Sequence, residues 1–357
     1  MDVIASREGR LGRIVLNRPR ALNTLTLPMV RAFRQALDEF GNGDGVSAVL
    51  VTGAGDRGLC AGGDVRILYE LEAAQKWRFA DFWREEYELN ARIASFPKPY
   101  VAIMDGIVMG GGVGISAHGN RRIVTERSRI AMPEVGIGFF PDVGASWLLS
   151  RAGAVGLYMA LSAATVTAAD AIGAGLADLM IRLQDIERLI EKLSTIERAA
   201  DVDETLRRFS CQPGVSTLSS FRRFLAEATA HEKIADVIAA FSHEGSEFSL
   251  CAAAEIGSKS PTALKVTRAL LRRAGQAPSL EICLANEFKA ACRMLETHDL
   301  YEGIRAAIID KDRRPKWSPD RLDAVSDETI EDILAGDDTP PPMFKSWNSS
   351  PYSPWEN

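Results

Sequence analysis

MDGIVMGGGVGISAHGNRRIVTERSRIAMPEVGIGFFPDVG, residues 104–144, sets a run of three glycines upstream of two carboxylates, Glu134 and Asp142. Gly110, Gly111 and Gly112 carry no side chain, so a ligand can approach the backbone and N–H groups can aim at a developing negative oxygen. Residues 115–118, ended by Gly119, read as a short helix that places the glycines at the positive end of its dipole. The same glycines would serve equally if they only let a helix pack closely on a sheet. An anion cradle beside paired acids points to acyl chemistry.

A competing match lies in the same stretch. Gly112, Gly114 and Ala117 fit the G-x-G-x-x-A dinucleotide fingerprint, with Glu134 downstream. The nearest expected strand, residues 100–104, ends several residues before the first glycine, whereas a nucleotide loop turns directly out of its strand into the helix. The dinucleotide reading is therefore disfavoured.

Glu134 follows Pro133 and Asp142 follows Pro141, so each acid sits on a proline-stiffened segment, which suits a positioned carboxyl. Asp142 also precedes an expected helix at 145–151 and has a plain alternative as its N-cap, where backbone N–H groups would favour the ionised form. The plain alternative for Glu134 is an exposed turn. A third acid, Glu86, shares one helical face with Phe79, Phe82, Trp83, Asn90 and Ile93 over residues 79–96. A glutamate on an apolar stripe either escapes to solvent or to Arg92, or is a buried acid that binds a substrate hydroxyl.

A second glycine-bearing turn, GAGDRGLCAGGD at 53–64, follows the short valine-rich run 48–52, which reads as a buried strand. Two such turns converging on one oxygen would make an oxyanion hole, with each donor contributing roughly a few kcal/mol to the transition state. Cys60 lies in this turn with no histidine near it in sequence, and a lone cysteine is usually a small apolar group.

These residues carry a resemblance beyond what spacing supplies. LNRPRALNTL (16–25), CAGGDVR (60–66), EEYELN (85–90), KPYVAIMDGIVMGGGVGIS (98–116), AMPEVGIGFFPDVG (131–144), SPTALK (260–265) and HDLYEGIRAAIIDKDRRPKW (298–317) span most of residues 10–320. The chain resembles the enoyl-CoA hydratase/isomerase (crotonase) superfamily and, within it, the 3-hydroxyisobutyryl-CoA hydrolases of valine degradation. The resemblance implies that the backbone N–H groups of Ala61 and Gly111 hold the thioester oxygen, that Glu134 is the retained superfamily glutamate, and that Asp142 is the hydrolases' acid. It further implies that Glu86 lies near the substrate's 3-hydroxyl, that Gly62, Gly63 and Asp64 border the acyl group, and that Arg20, Ala21 and Leu22 run along coenzyme A. Hydratases place a second glutamate where this chain has Gly114, which demotes hydration. Thioester hydrolysis is expected, with Glu134 attacking the carbonyl or activating water and Asp142 assisting proton transfer. The alternatives are an enoyl-CoA hydratase or isomerase, and a non-catalytic acyl-CoA-binding module.

The chain's 357 residues, 46% of them hydrophobic, can bury a large core. A net charge of −6 argues against nucleic acid as partner. Five cysteines form no C-x-x-C pair, and neither a zinc motif nor a P-loop occurs, so no metal and no cofactor is expected, coenzyme A being part of the substrate. An apolar strand pattern begins within about sixteen residues of the first methionine, and no apolar run nears the ~20 residues needed to cross a bilayer, so a cytoplasmic protein without membrane contact is expected. The resemblance leaves a homo-oligomer open.

Strand and helix patterns alternate to about residue 182, starting with a strand near 13–16 and a helix whose stripe is Val30, Phe33, Leu37 and Phe40, entered through Thr26 and Pro28. The alternation predicts an α/β fold, and the resemblance implies the crotonase-like spiral of strand-strand-helix turns with a C-terminal helical region. The expected division is a core at 1–182, a variable, mainly helical connection at 183–257, a C-terminal helical region at 258–332, and a Pro/Ser-rich tail at 333–357, largely extended and packed on a surface.

Overall fold

Strand β3 (Ala48–Gly53, AVLVTG) shows how the sheet is built. Successive side chains point to opposite faces, so Val49 and Val51 join one apolar cluster while Ala48 and Leu50 join another. The computed structural model describes residues 1–43, 45–71, 73–345 and 347. A seven-stranded sheet runs β1-β2-β3-β4-β6-β8-β9, where β1 is Val3–Glu8, β2 Leu11–Leu16, β4 Tyr100–Met104, β6 Arg121–Val124, β8 Leu179–Ile181 and β9 Ser210–Cys211. Its central pairings are parallel, and both edge pairings, β1 with β2 and β8 with β9, are antiparallel.

A second, two-stranded sheet pairs β5 (Ile107–Met109) with β7 (Arg129–Ala131) in parallel, and Cys60 bridges to Val108 beside it. β5 was not anticipated, and it leads through Gly110 directly into helix α4 (Gly111–Ala117). The short helix expected at 115–118 thus begins four residues earlier and contains the glycines. They fit there because neighbours leave no room for a side chain: a Cβ on Gly112 would stand 2.3 Å from the Cys60 carbonyl oxygen. One on Gly114 would stand 2.8 Å from both Asn90 Nδ2 and Val143 Cβ. Such packing outweighs the roughly 1 kcal/mol that each helical glycine costs.

Helix α1 (Leu27–Asn42) starts after Thr26 with Pro28 in its first turn and buries Val30, Phe33, Leu37 and Phe40 as the stripe predicts. Helix α2 (Val65–Glu70) follows the glycine turn. Helix α3 (Phe79–Ala94) buries Phe82, Trp83, Glu86, Tyr87, Asn90 and Ile93. Beyond the core strands come α5 (Ala145–Arg151), α6 (Gly153–Ser162) and α7 (Ala168–Gly173).

Residues 183–257 divide between two places. Helices α8 (Ile186–Ser194) and α9 (Asp201–Phe209) cover the sheet face formed by Leu11, Leu50, Val101, Ile103 and Ile123. Helices α10 (Thr217–Ser220), α11 (Arg222–Thr229), α12 (Ile234–Glu244) and α13 (Glu247–Gly257) join the other cluster, α11 and α13 lying against α6. Helix α14 (Pro261–Ala274) packs on α5 and α6, and α15 (Leu280–Met294) packs on α3. Helix α16 (His298–Ile304) continues into a wider turn at 305–309, and α17 (Asp327–Ala335) closes on α14 and α15.

Because α17 runs to Ala335, the tail starts after that helix and not at 333. The tail then lies along α3: Arg84 donates to the Pro340 carbonyl at 2.9 Å, and the Met343 N–H donates to Glu88 at 2.9 Å. Trp347 donates to the Arg92 carbonyl at 3.0 Å, meets Phe96 edge-on at 5.3 Å, and lies 3.5 Å under the Arg92 guanidinium. The rest of the expected tail, 346 and 348–357, lies outside the described residues. Among the described residues no helix is long and apolar enough to cross a membrane.

Candidate active site

One cavity of about 590 Å³ gathers Arg20, Ala21, Leu22, Ala61, Gly62, Gly63, Asp64, Glu86, Gly110, Gly111, Glu134 and Asp142, whereas Gly112, the third glycine of the expected cradle, faces Cys60. They arrive from five chain segments. Two glycine turns meet at its floor: a Cβ on Gly62 would stand 3.7 Å from the Gly111 nitrogen and 3.3 Å from the Met109 carbonyl oxygen.

The two N–H groups of the expected oxyanion pair differ in what the fold leaves them. The Gly111 N–H lies in the first turn of α4, where no helical acceptor exists, and it has no backbone acceptor among the described residues. The Ala61 N–H instead donates to the Leu22 carbonyl at 3.0 Å, so it has no hydrogen left for a ligand. Two residues on, the Gly63 N–H has no backbone acceptor among the described residues, and Gly63 lines the cavity. Between Ala61 and Gly63, Gly62 takes φ 108°, a conformation that glycine adopts readily and other residues rarely do. Asp64 also borders the cavity, but its carboxylate is held by Arg18 at 3.0 Å.

Glu86 is buried on α3 and reaches neither solvent nor Arg92, which pairs with Asp38. Its Oε1 has no hydrogen-bond partner among the described residues, and a Cβ on Gly111 would stand 2.4 Å from it. Glu134 opens a short helical turn, Glu134–Ile137, and is buried, not an exposed turn residue. Its Oε2 has no hydrogen-bond partner among the described residues, and its Oε1 lies 2.8 Å from where a Gly110 Cβ would stand. Burial, then the nearby Asp142, push the carboxyls of Glu86 and Glu134 well above the usual range.

Asp142 does not cap α5. Gly144 is the N-cap, and the Asp142 carboxylate turns the other way, accepting from the Tyr87 hydroxyl at 2.7 Å. Burial pushes its pKa up to about 7, while the Tyr87 hydrogen bond works in the opposite direction. Tyr87 lies within the segment EEYELN (85–90) but escaped the sequence reading, which singled out only Glu86 there, because a tyrosine on an apolar stripe gives no signal of its own. Glu287, buried on the stripe Leu280, Cys283, Leu284, Phe288 of α15, escaped too, although an acid on an apolar stripe was the very signal that singled out Glu86. Cys60 is buried with its thiol pushed up to about 12 by that burial, so it is no nucleophile at neutral pH.

The walls are apolar, with Trp83 stacked on Phe139 at 5.1 Å, and Arg18, Arg20, Arg57, Arg66 and Lys311 stand around the opening. Gly112 and Gly114 have no open space before them, so neither can cradle a pyrophosphate.

Residues 11–334 match the family model described as Enoyl-CoA hydratase/isomerase. The mitochondrial 3-hydroxyisobutyryl-CoA hydrolases of Danio rerio and Bos taurus are 36% and 37% identical, over 92% and 93% of this chain and 88% of each relative. A carnitinyl-CoA dehydratase from Mycobacterium thermoresistibile superposes with a TM-score of 0.88 at 44% identity, covering 95% of this chain and 97% of that one. An enoyl-CoA hydratase from Rhodobacter sphaeroides gives 0.87 at 37% identity, over 94% and 98%. The sequence match and the shared spiral of sheets and helices agree, and the chain belongs to the enoyl-CoA hydratase/isomerase family.

Proposed function

We propose that this protein hydrolyses a short, branched 3-hydroxyacyl-CoA thioester, 3-hydroxyisobutyryl-CoA foremost, to the hydroxy acid and coenzyme A. The observation that carries this reading is the convergence of Glu86, Glu134 and Asp142 on one cavity beside the unspent N–H groups of Gly63 and Gly111. Arg20, Ala21 and Leu22 would lie along coenzyme A, with the cationic opening toward its phosphates.

In this mechanism the thioester oxygen sits against Gly63 and Gly111, which hold the negative charge as the carbonyl carbon becomes tetrahedral. Glu134 in its ionised form either adds to that carbon or takes a proton from the water that adds. When water adds, collapse breaks the C–S bond and releases the hydroxy acid, and the leaving thiolate takes up the proton removed from that water. When Glu134 adds, collapse leaves the acyl group on Glu134 as a mixed anhydride, and the thiolate takes the proton held by Asp142. Water then cleaves the anhydride, releasing the acid, restoring the Glu134 carboxylate and returning a proton to Asp142. The high affinity of buried Glu134 for a proton makes it an effective base once ionised, and Asp142, which burial pushes up to about 7 against the Tyr87 hydrogen bond, accepts in its ionised form the proton that Glu134 must first release. The free Oε1 of Glu86 meets the substrate's 3-hydroxyl. The two routes differ in whether solvent oxygen passes through the Glu134 carboxylate, which single-turnover labelling in heavy-oxygen water reads directly.

Hydration or dehydration is the second reading, supported by the names of the two solved relatives. Against it stands Gly114, whose position is closed by Asn90 and Val143 and holds no second carboxyl. The test supplies purified protein with 3-hydroxyisobutyryl-CoA and with crotonyl-CoA and follows thiol release and enoyl loss side by side. Thiol release from the hydroxyacyl substrate alone supports hydrolysis, and enoyl loss without thiol release replaces it by hydration. The same reading places the chain in the cytoplasm, whereas the compared hydrolases are named mitochondrial, and cell fractionation tests the location.

A further inference from the structure

Asp142 lies where an aspartate would be expected to cap the following helix, yet its carboxylate points into the cavity. A capping aspartate needs backbone N–H groups two or three residues on. Here those groups, on Gly144 and Ala145, are already taken, the Ala145 N–H by the Asp142 main-chain carbonyl at 2.8 Å and the Gly144 N–H by a distant acid. Glu287, 143 residues away on α15, accepts the Gly144 N–H at 2.6 Å through Oε2 and the Ser146 N–H at 3.0 Å through Oε1, which also accepts from the Ser146 hydroxyl. Both carboxyl oxygens of this fully buried side chain are thereby spent on the turn after Asp142. From the opposite side, His118, at the end of α4, is in hydrogen-bond contact with the Val143 carbonyl at 2.7 Å. Burial lowers the His118 pKa to about 4, so the ring is neutral and donates there as Nε2–H. Between these two holds Val143 sits at φ 55° and Gly144 at φ 78°. A β-branched residue in the left-handed region is costly and persists only where its surroundings hold it.

We propose that Glu287 is a positioning residue for Asp142: by occupying the Gly144 N–H and itself accepting the Ser146 N–H in the first turn of α5, and with His118 holding Val143, it keeps the Asp142 carboxylate from folding back onto the turn and directs it to Tyr87 and the cavity. No substrate contact is assigned to Glu287. The proposal rests on the hydrolytic reading only for its effect on turnover. Its effect on the protonation of Asp142 stands apart from activity. The titratable groups around this turn are Glu86 and Tyr87 from α3, Glu134, His118 from α4, and Cys283 beside Glu287 on α15.

With Glu287 shortened, the freed Gly144 N–H recruits the Asp142 carboxylate, and a hydrogen bond to the ionised form lowers its pKa. The test is ¹³C NMR titration of the Asp142 carboxyl, assigned by its loss in Asp142→Asn, in the wild type, Glu287→Gln and Glu287→Asp. Glu287→Asp retains the acid and loses only reach, which separates capping from removal of a neighbouring charge and supplies a milder variant should Glu287→Gln fail to fold. The expected result in both is an Asp142 pKa moved down from about 7 toward the ordinary carboxylate value. Turnover should fall about 10- to 100-fold, with KM nearly unchanged. In an Asp142→Asn background Glu287→Asp should cost little more, because the residue through which it acts is gone. An unmoved or raised Asp142 pKa in Glu287→Asp overturns the proposal, as do losses that simply multiply in the double variant. If Asp142→Asn itself leaves turnover intact while the pKa falls as expected, the hydrolytic role of Asp142 fails and its positioning by Glu287 stands.

Discussion

The Tyr87 hydroxyl donates to Asp142 Oδ2 across 2.7 Å, joining residues 55 apart in sequence inside a buried cluster of acids. This single bond opposes the burial that drives Asp142 toward its protonated form. Removing it in Tyr87→Phe should raise the Asp142 pKa above about 7, since the anion loses a donor while the neutral acid loses little. The acid limb of the pH–rate profile should then move upward by roughly one unit, the equivalent of one hydrogen bond to a charged group. A limb that stays in place, or moves down, would show that Asp142 does not govern it.

Glu134→Gln should lower kcat about 10²- to 10⁴-fold, because the base or nucleophile is lost while the thioester cradle remains. Binding of a non-hydrolysable acyl-CoA analogue, followed by calorimetry, should change by no more than about threefold. Loss of binding in step with turnover would move Glu134 from the chemistry to the scaffold.

Glu86→Leu tests the unpartnered Oε1. The preference for 3-hydroxyisobutyryl-CoA over isobutyryl-CoA, measured as the ratio of kcat/KM, should fall about 10- to 100-fold, the loss of one hydrogen bond involving an acid. Equal losses on both thioesters would remove Glu86 from hydroxyl recognition.

Gly114→Glu tests whether the hydratase pair can be rebuilt. A Cβ there stands 2.8 Å from Val143 Cβ and Asn90 Nδ2, so the variant should lose melting temperature and gain no crotonyl-CoA hydration. New hydratase activity in a stable variant would show that one side chain alone separates the two reactions.

Trp347→Ala should destabilise the fold by roughly 3 kcal/mol, the usual cost of truncating a buried tryptophan, because the ring fills the space between Gly41, Phe96 and Arg92. Urea unfolding reads the loss. An unchanged midpoint would mean that the tail rests on α3 without supporting it.

Local periodicity made much of this molecule legible in the sequence. The short valine-rich run at 48–52, the stripe of α1, and the face of α3 that carries Glu86 all depend on residues within a few turns of one another, and all appear with nearly the expected bounds. The motifs carried Glu86, Glu134, Asp142 and both glycine turns into one cavity. What tertiary structure alone decided is where individual polar groups point. Ala61 spends its N–H on Leu22 while Gly63 keeps its own, because the course of one loop past another selects the donor. Asp142 is a cavity acid and not a helix cap where Glu287, 143 residues after Gly144, takes the Gly144 N–H and the Ala145 N–H turns to the Asp142 main-chain carbonyl. Helical and strand periods are written into neighbouring residues, whereas a hydrogen bond's direction is settled by whichever partner the fold brings within 3 Å, and that partner lies far along the chain.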